Sequence, residues 1–289
     1  MDILVTYAYA KIQLNDPHTA ERILQRTLAV RKDVLSAYLG LANLYLASNR
    51  ARQAVEVYNG MIAHRPELSE GYRLRGELFL NVGEMNSSYS DLSTALAIDP
   101  HNHQALLVRG RWHLKHNLLV KAYTDLSESV SFSRSALGLY YLAQANYALG
   151  RPCDASALHK EALLLDPTLV DIYLQKAQSD GTCGLMTESL RSYDLALTYK
   201  PHSTEIHSAR GRAHLNIGRP RAALEDLETE LALNPRDVGS MGLAAVCCQM
   251  LGRLEEAVHW LDRMLSLDYD PGVVKDRLRI ARFRSQFHV

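Results

Sequence analysis

The chain reads as an all-α array of stacked helix pairs, on three counts. Gly83, Gly150, Gly184, Gly218 and Gly252 share one phase of a 34-residue period. Pro66, Pro100, Pro167, Pro201 and Pro235 share another. Each period holds two stretches of apolar residues at helical spacing, such as Tyr38, Leu41 and Tyr45, then Ala54, Tyr58 and Met61. A unit of this size cannot bury its apolar face alone, so the copies must lean on one another.

The prolines set the boundaries. Pro66 to Pro100, Pro167 to Pro201 and Pro201 to Pro235 are each 34 residues apart; Pro100 to Pro167 is 67, one full copy and one of 33. Copies therefore begin at Met1, Leu35, Ser69, His103, Ala136, Val170, Thr204 and Val238, and the array fills residues 1–271. Position eight is always small (Ala8, Ala42, Gly76, Gly110, Ala143, Ala177, Gly211, Ala245), and so is position twenty (Ala20, Ala54, Ser88, Ala122, Ala155, Ser189, Ala223, Ala257). Two helices approach closely there, and larger side chains would hold them apart. Glycine at position fifteen permits the turn between the helices. Proline near position thirty-two stops the second helix. Pro17, Pro152 and Pro220 fall at position seventeen, in a first helical turn, where a missing N–H costs nothing.

Two copies depart from the pattern. The fourth is one residue short and has Ser131–Ser135 where a proline would close it. The sixth carries Asp180 at position eleven, followed by Gly181. Glycine near a helix end costs about 1 kcal/mol against alanine, so the sixth copy is expected to be the softest joint. Residues 272–289 read as a basic amphipathic helix with Val273, Ile280 and Phe287 a heptad apart. Its expected role is to cap the stack, with an anionic partner or membrane surface as the alternative. Arg75, Arg109 and Arg210 recur at position seven, and Asp91, Asp125 and Asp226 at position twenty-three. They are expected to pair between neighbouring copies.

The third copy shows Tyr72, Gly76, Phe79, Leu92, Ala95 and Pro100, and the seventh Gly211, Gly218, Ala223, Leu227 and Pro235. This pattern resembles the tetratricopeptide repeat family over essentially the whole chain. The resemblance implies antiparallel helix pairs wound into a right-handed superhelical solenoid. It also implies a concave face, lined mainly by first helices, that commonly holds a peptide. The family draws that face from positions two, five, nine, twelve and thirteen. Carried onto this chain, those positions give Asn43, Arg73, Glu77, Arg111, Lys115, Tyr140, Gln144, Tyr147, Gln178 and Arg212. Such a surface suits an extended peptide held by amides, guanidinium forks and aromatic faces, and equally reads as an ordinary solvated face. One subgroup, the chaperone-binding co-chaperones, clamps a C-terminal carboxylate with a lysine, asparagine and arginine set. That set cannot be placed here. Where Arg73 could stand in, Glu77 follows one turn later and would repel a carboxylate, so tight binding of an acidic tail is not expected.

Charge and chemistry narrow the function. Lys+Arg and Asp+Glu are both 32, so the balance argues against a nucleic-acid partner. A weaker alternative keeps nucleic acid through Arg111, Lys115, Arg212 and the basic tail. No run is long and apolar enough to span a bilayer. The opening MDILVTYAYAKIQL lacks a basic n-region and a clear cleavage site, so no signal peptide is expected and the location reads as cytoplasmic. A chain that opens in mid-pattern also reads as an excerpt of a longer protein. The four cysteines, Cys153, Cys183, Cys247 and Cys248, form no CxxC pair and are read as reduced, small apolar residues. Cys153 near a helix start is read as a small first-turn residue, not a nucleophile, since no base is placed beside it.

There is no GxxxxGK[ST], GxGxxG, HExxH or GxSxG motif. His101, His103, His113 and His116 lie close in sequence but lack converging ligands, so no metal and no cofactor is expected. Asn86-Ser87-Ser88 fits a glycosylation acceptor and, better, a helix start. The expectation is a non-catalytic scaffold or adaptor for a protein or peptide. The alternative is the repeat module of a larger co-chaperone or enzyme whose catalytic part lies outside these residues.

Overall fold

The computed structural model describes residues 3–267, and these hold sixteen helices and no strand. Residues 272–289, expected to cap the stack, lie outside that range. The helices divide between Leu149 and Gly150 into two compact units, where the sequence reads one continuous array.

The first unit contains α1 (Ile3–Gln13), α2 (Pro17–Val30), α3 (Leu35–Ala47), α4 (Ala51–His64), α5 (Ser69–Val82), α6 (Met85–Ile98), α7 (His103–Lys115), α8 (Leu119–Phe132) and α9 (Ala136–Ala148). The second contains α10 (Pro152–Leu165), α11 (Val170–Thr182), α12 (Met186–Tyr199), α13 (Thr204–Asn216), α14 (Pro220–Leu233), α15 (Val238–Met250) and α16 (Leu254–Leu265). Within each unit a helix packs chiefly on its sequence neighbours, the contact pattern of a helical-repeat solenoid. First helices of adjacent pairs also touch, α5 with α7 and α7 with α9, so they share a face.

Within each unit, pairing is antiparallel. In α7 and α8, Ser129 Oγ near the end of the second helix donates to the carbonyl of His103 at the start of the first, 2.6 Å. Halfway along, Arg109 of α7 meets Asp125. The close approach falls where the small residues stand. Positions eight and twenty are buried in every copy, from Ala8 and Ala20 to Ala245 and Ala257. Ser88 and Ser189 use that proximity, their hydroxyls donating to the carbonyls of Gly76 and Ala177 at 2.8 and 2.7 Å.

Position fifteen is left-handed in all eight copies. Gly83, Gly150, Gly184, Gly218 and Gly252 have φ between 71° and 89°, and Asn15, Asn49 and Asn117 between 56° and 58°. A residue with a Cβ strains there, and asparagine is the usual exception. The αL residue reverses the chain after the first helix, and the second begins two residues later. Pro17, Pro152 and Pro220 occupy its first turn. Side-chain caps start several helices: Asp16 accepts from the Thr19 amide, Asn102 from Ala105 and Ser135 from Gly138.

The recurrent arginines and aspartates pair inside a copy, not between copies as expected. Arg75, Arg109 and Arg210 each fork onto Asp91, Asp125 and Asp226 at 2.6–2.9 Å. The aspartates are buried, at 6, 5 and 4% exposure, so these pairs are part of the interior. Arg75 and Arg210 send a further N–H to Asn59 and Asp194 of the preceding copy, both 2.6 Å and both exposed. The expected neighbour contact is therefore only the outer arm. The reason is geometric: positions seven and twenty-three face each other across one antiparallel pair.

The cysteine reading also needs correction. Cys153 and Cys183 form a disulfide with Cα atoms 5.2 Å apart. Only Cys247 and Cys248 are free, and both are buried. Burial pushes each of those thiols up to about 11.

Candidate functional site

The candidate groove positions lie on α3, α5, α7 and α9 in the first unit and on α11 and α13 in the second. Their environments differ sharply. Arg73 is buried at 7% exposure. Its Nε and Nη2 donate to the two Glu70 oxygens at 2.8 and 2.6 Å, and Nη1 donates to Glu77 at 2.9 Å. Burial opposes its charge, but the two carboxylates hold its pKa above the ordinary arginine value. Its helix spacing makes this clamp local: Glu70 and Glu77 stand one turn to either side.

The second oxygen of Glu77 reaches the next first helix, where Arg111 Nη1 donates to it at 3.2 Å. The Arg111 guanidinium lies 5.1 Å from the Tyr141 ring centroid on α9. Three consecutive first helices are thus tied by Glu70, Arg73, Glu77, Arg111 and Tyr141. Lys115, exposed on the same helix as Arg111, donates to the Leu80 carbonyl at 3.4 Å. Tyr140 is half-buried, its ring 5.1 Å from Tyr141. Gln144 is half-buried, while Asn43 and Tyr147 are exposed.

In the second unit, Gln178 is half-buried on α11 and its carbonyl accepts from Thr182. Arg212 is exposed and folds back on its own helix, onto the Ser208 carbonyl and hydroxyl at 3.3 and 3.0 Å. Arg73, Glu77 and Arg111 are therefore brought together in the first unit, where Asn43 is not joined to them; Gln178 and Arg212 belong to the second unit. The sequence reading missed Glu70 and Tyr141. Glu70 was legible, since it occupies position two and precedes an arginine by three. Tyr141 sits at position six, outside the expected set.

The histidines go elsewhere. His116 stacks on Trp112 at 3.7 Å, His101 packs edge-on to Phe132, and His113 Nε2 lies 3.5 Å from Asp125. Among the described residues no three His, Cys, Asp or Glu side chains converge on a metal position.

Two family models, each described as tetratricopeptide repeat, match residues 2–78 and 208–272. The chain belongs to the tetratricopeptide repeat family. It is 22% identical to the BBSome complex member bbs-4 of Caenorhabditis elegans over 78% of this chain and 49% of that one. It is 21% identical to the DnaJ homolog subfamily C member 7 homolog of Schizosaccharomyces pombe over 93% of this chain and 55% of that one. The chain spans about half the length of these curated relatives. Among solved structures, the Cut9–Hcn1 hetero-tetramer of the APC/C superposes with a TM-score of 0.63, at 15% identity, over 92% of this chain and 52% of that one. YrrB, described as a tetratricopeptide repeat protein with an unusual peptide-binding site, superposes with a TM-score of 0.59, at 17% identity, over 65% of this chain and 97% of that one. At these identities the structural likeness carries the fold. The family is in general one of non-catalytic scaffolds, and the chain is a protein-interaction repeat module.

Proposed function

We propose that this module holds a protein or peptide segment on the shared first-helix face of its first unit, at Asn43, Arg73, Glu77, Arg111, Lys115, Tyr140, Gln144 and Tyr147. Gln178 and Arg212 would serve a separate contact in the second unit. The observation that carries the reading is the ion network running from α5 to α7 and on to Tyr141 of α9. It fixes polar and aromatic groups on neighbouring first helices before any partner arrives, which lowers the entropic cost of binding. The buried Arg73 already spends three N–H groups on Glu70 and Glu77, whose side chains are about one-third exposed. What faces an incoming segment around Arg73 is carboxylate, so the partner segment is neutral or basic there, not an acidic tail.

The relatives include proteins described as Hsc70-interacting and DnaJ-type, together with the BBSome members. Their names support a scaffold of other proteins, and the partial length supports a module within a larger co-chaperone or assembly subunit. The mass of the full gene product separates these alternatives. No described helix is long and apolar enough to cross a membrane. We place the module in the cytoplasm.

The test reverses charge at groups that can be changed without emptying the interior. Arg111→Glu with Lys115→Glu should abolish retention of the natural partner set by the immobilised module, with helix content unchanged by circular dichroism. An identical partner set would remove the face from consideration. Micromolar binding of an acidic C-terminal peptide, lost in Arg73→Ala, would refute the charge argument.

A further inference from the structure

Cys153 stands at position eighteen of the fifth copy and Cys183 at position fourteen of the sixth. The corresponding pairs at the other joints are His18 with Ser48, Arg52 with Val82, Asn86 with His116, Val120 with Leu149, Thr187 with Ile217 and Arg221 with Leu251. One joint alone carries a cysteine on both sides. Its packing is also strongly polar. Ser156 and His159 of α10 face Ser179 and Asp180 of α11, and all four are buried, His159 and Asp180 completely. Ser156 donates to Asp180, and Asp180 also takes Lys176 from one turn earlier. Ser179 Oγ and His159 Nδ1 are 3.4 Å apart. The α14–α15 joint also buries Glu230 and Ser240, but beside an apolar cluster of Leu224, Leu227, Leu231, Met241 and Ala244. A buried polar joint holds only while every partner stays in place, because each group released without water is costly. Gly181 sits within the same turn, in a helix that ends at Thr182.

We propose that the Cys153–Cys183 bridge is a reversible redox clamp on the α10–α11 joint, opened by a dithiol reductant. Cys153 is the exposed sulfur, on the first turn of α10; Cys183 is half-buried at the end of α11. A reductant thiolate attacks Cys153 Sγ, forming a mixed disulfide and expelling Cys183 as a thiolate that takes up a proton. The reductant's second thiolate then attacks its own sulfur in that mixed disulfide, and Cys153 leaves and is protonated. Two electrons pass from the dithiol, which becomes a disulfide, to the two cysteines, which become thiols. The bridge stays closed or opens according to the dithiol poise around it. Opening leaves α11, the helix that carries Gln178, joined to α10 by noncovalent contacts alone, the buried polar ones among them.

The experiment compares oxidised, dithiothreitol-reduced and Cys183→Ser protein. Thiol titration of the denatured, oxidised chain should find two thiols, from Cys247 and Cys248. Amide exchange across residues 170–182 should be slow in the oxidised protein. It should rise at least about tenfold on reduction, and equally in Cys183→Ser under either condition. Exchange in α15 should not move. Four thiols in the oxidised chain would overturn the proposal, and so would exchange in α11 indifferent to reduction and to Cys183→Ser.

Discussion

Gly110→Ala tests how tightly one helix pair has closed. A Cβ on Gly110 would lie 2.5 Å from Leu126 Cγ and 2.8 Å from its Cδ2, where carbon atoms normally rest about 3.5–4 Å apart. Leu126 is fully buried, so it cannot swing into solvent and must push its neighbours by about 1 Å. Overpacking of this kind costs about 1–3 kcal/mol. Alanine in place of glycine inside a helix returns about 0.8–1 kcal/mol. A 2.5 Å approach belongs in the upper part of that overpacking range, about 2–3 kcal/mol, so the expected net loss is about 1–2 kcal/mol. The control is Gly211→Ala at the same phase, where the nearest atom, Leu227 Cγ, is 3.2 Å away. There the strain is a few tenths of an ångström, and the two effects should nearly cancel. Copies one and eight place alanine at this position opposite Leu24 and Leu261, so the chemistry is compatible and only the spacing differs. Urea unfolding gives the overall order, and amide exchange in α7 and α8 localises the loss, since repeat arrays need not unfold in one step. Stability of Gly110→Ala equal to or above wild type would refute the packing argument, as would greater damage from Gly211→Ala.

Three further outcomes are expected. Asn117→Ala should cost about 1–2 kcal/mol because φ is 56° there, whereas Asn117→Gly should fall within about 0.5 kcal/mol of wild type in urea unfolding. Arg109→Met leaves the Asp125 carboxylate without its guanidinium at 5% exposure and should cost about 2 kcal/mol, an amount that Arg109→Met with Asp125→Leu should largely recover. Burial, with Lys176 adding to it, lowers the His159 pKa to about 4, against 6.5 for an ordinary histidine. Between those values the unfolded chain binds a proton that the folded one refuses. Stability should therefore be full above about pH 6.5 and fall by up to about 3 kcal/mol as pH drops towards 4, a slope that His159→Gln should flatten.

Much of the architecture was legible because it repeats. Small residues at positions eight and twenty and the closing prolines are local signals, and eight copies average out the noise in any one. The turn was legible only where it is glycine; Asn15, Asn49 and Asn117 meet the same backbone demand with a residue that looks ordinary in sequence. The arginine–aspartate pairs were visible as phases, but assigning them within or between copies required knowing which positions an antiparallel pair brings together. The bridge was hidden for the same reason: thirty residues separate Cys153 from Cys183, and only the stacking geometry makes them neighbours. At the candidate face, sequence placed Arg73 among groups that meet a partner. It could not show that Arg73 is buried between its two glutamates, because burial of a charged side chain depends on what the adjacent helix leaves open.

Asp91, Asp125 and Asp226 each find their guanidinium without leaving their own helix pair. Such a pair of helices can therefore be duplicated, deleted or transplanted as a cassette without parting its buried aspartate from its arginine at the cut. Unequal recombination could lengthen or shorten such a gene by whole cassettes, and an engineer could splice at the same seams.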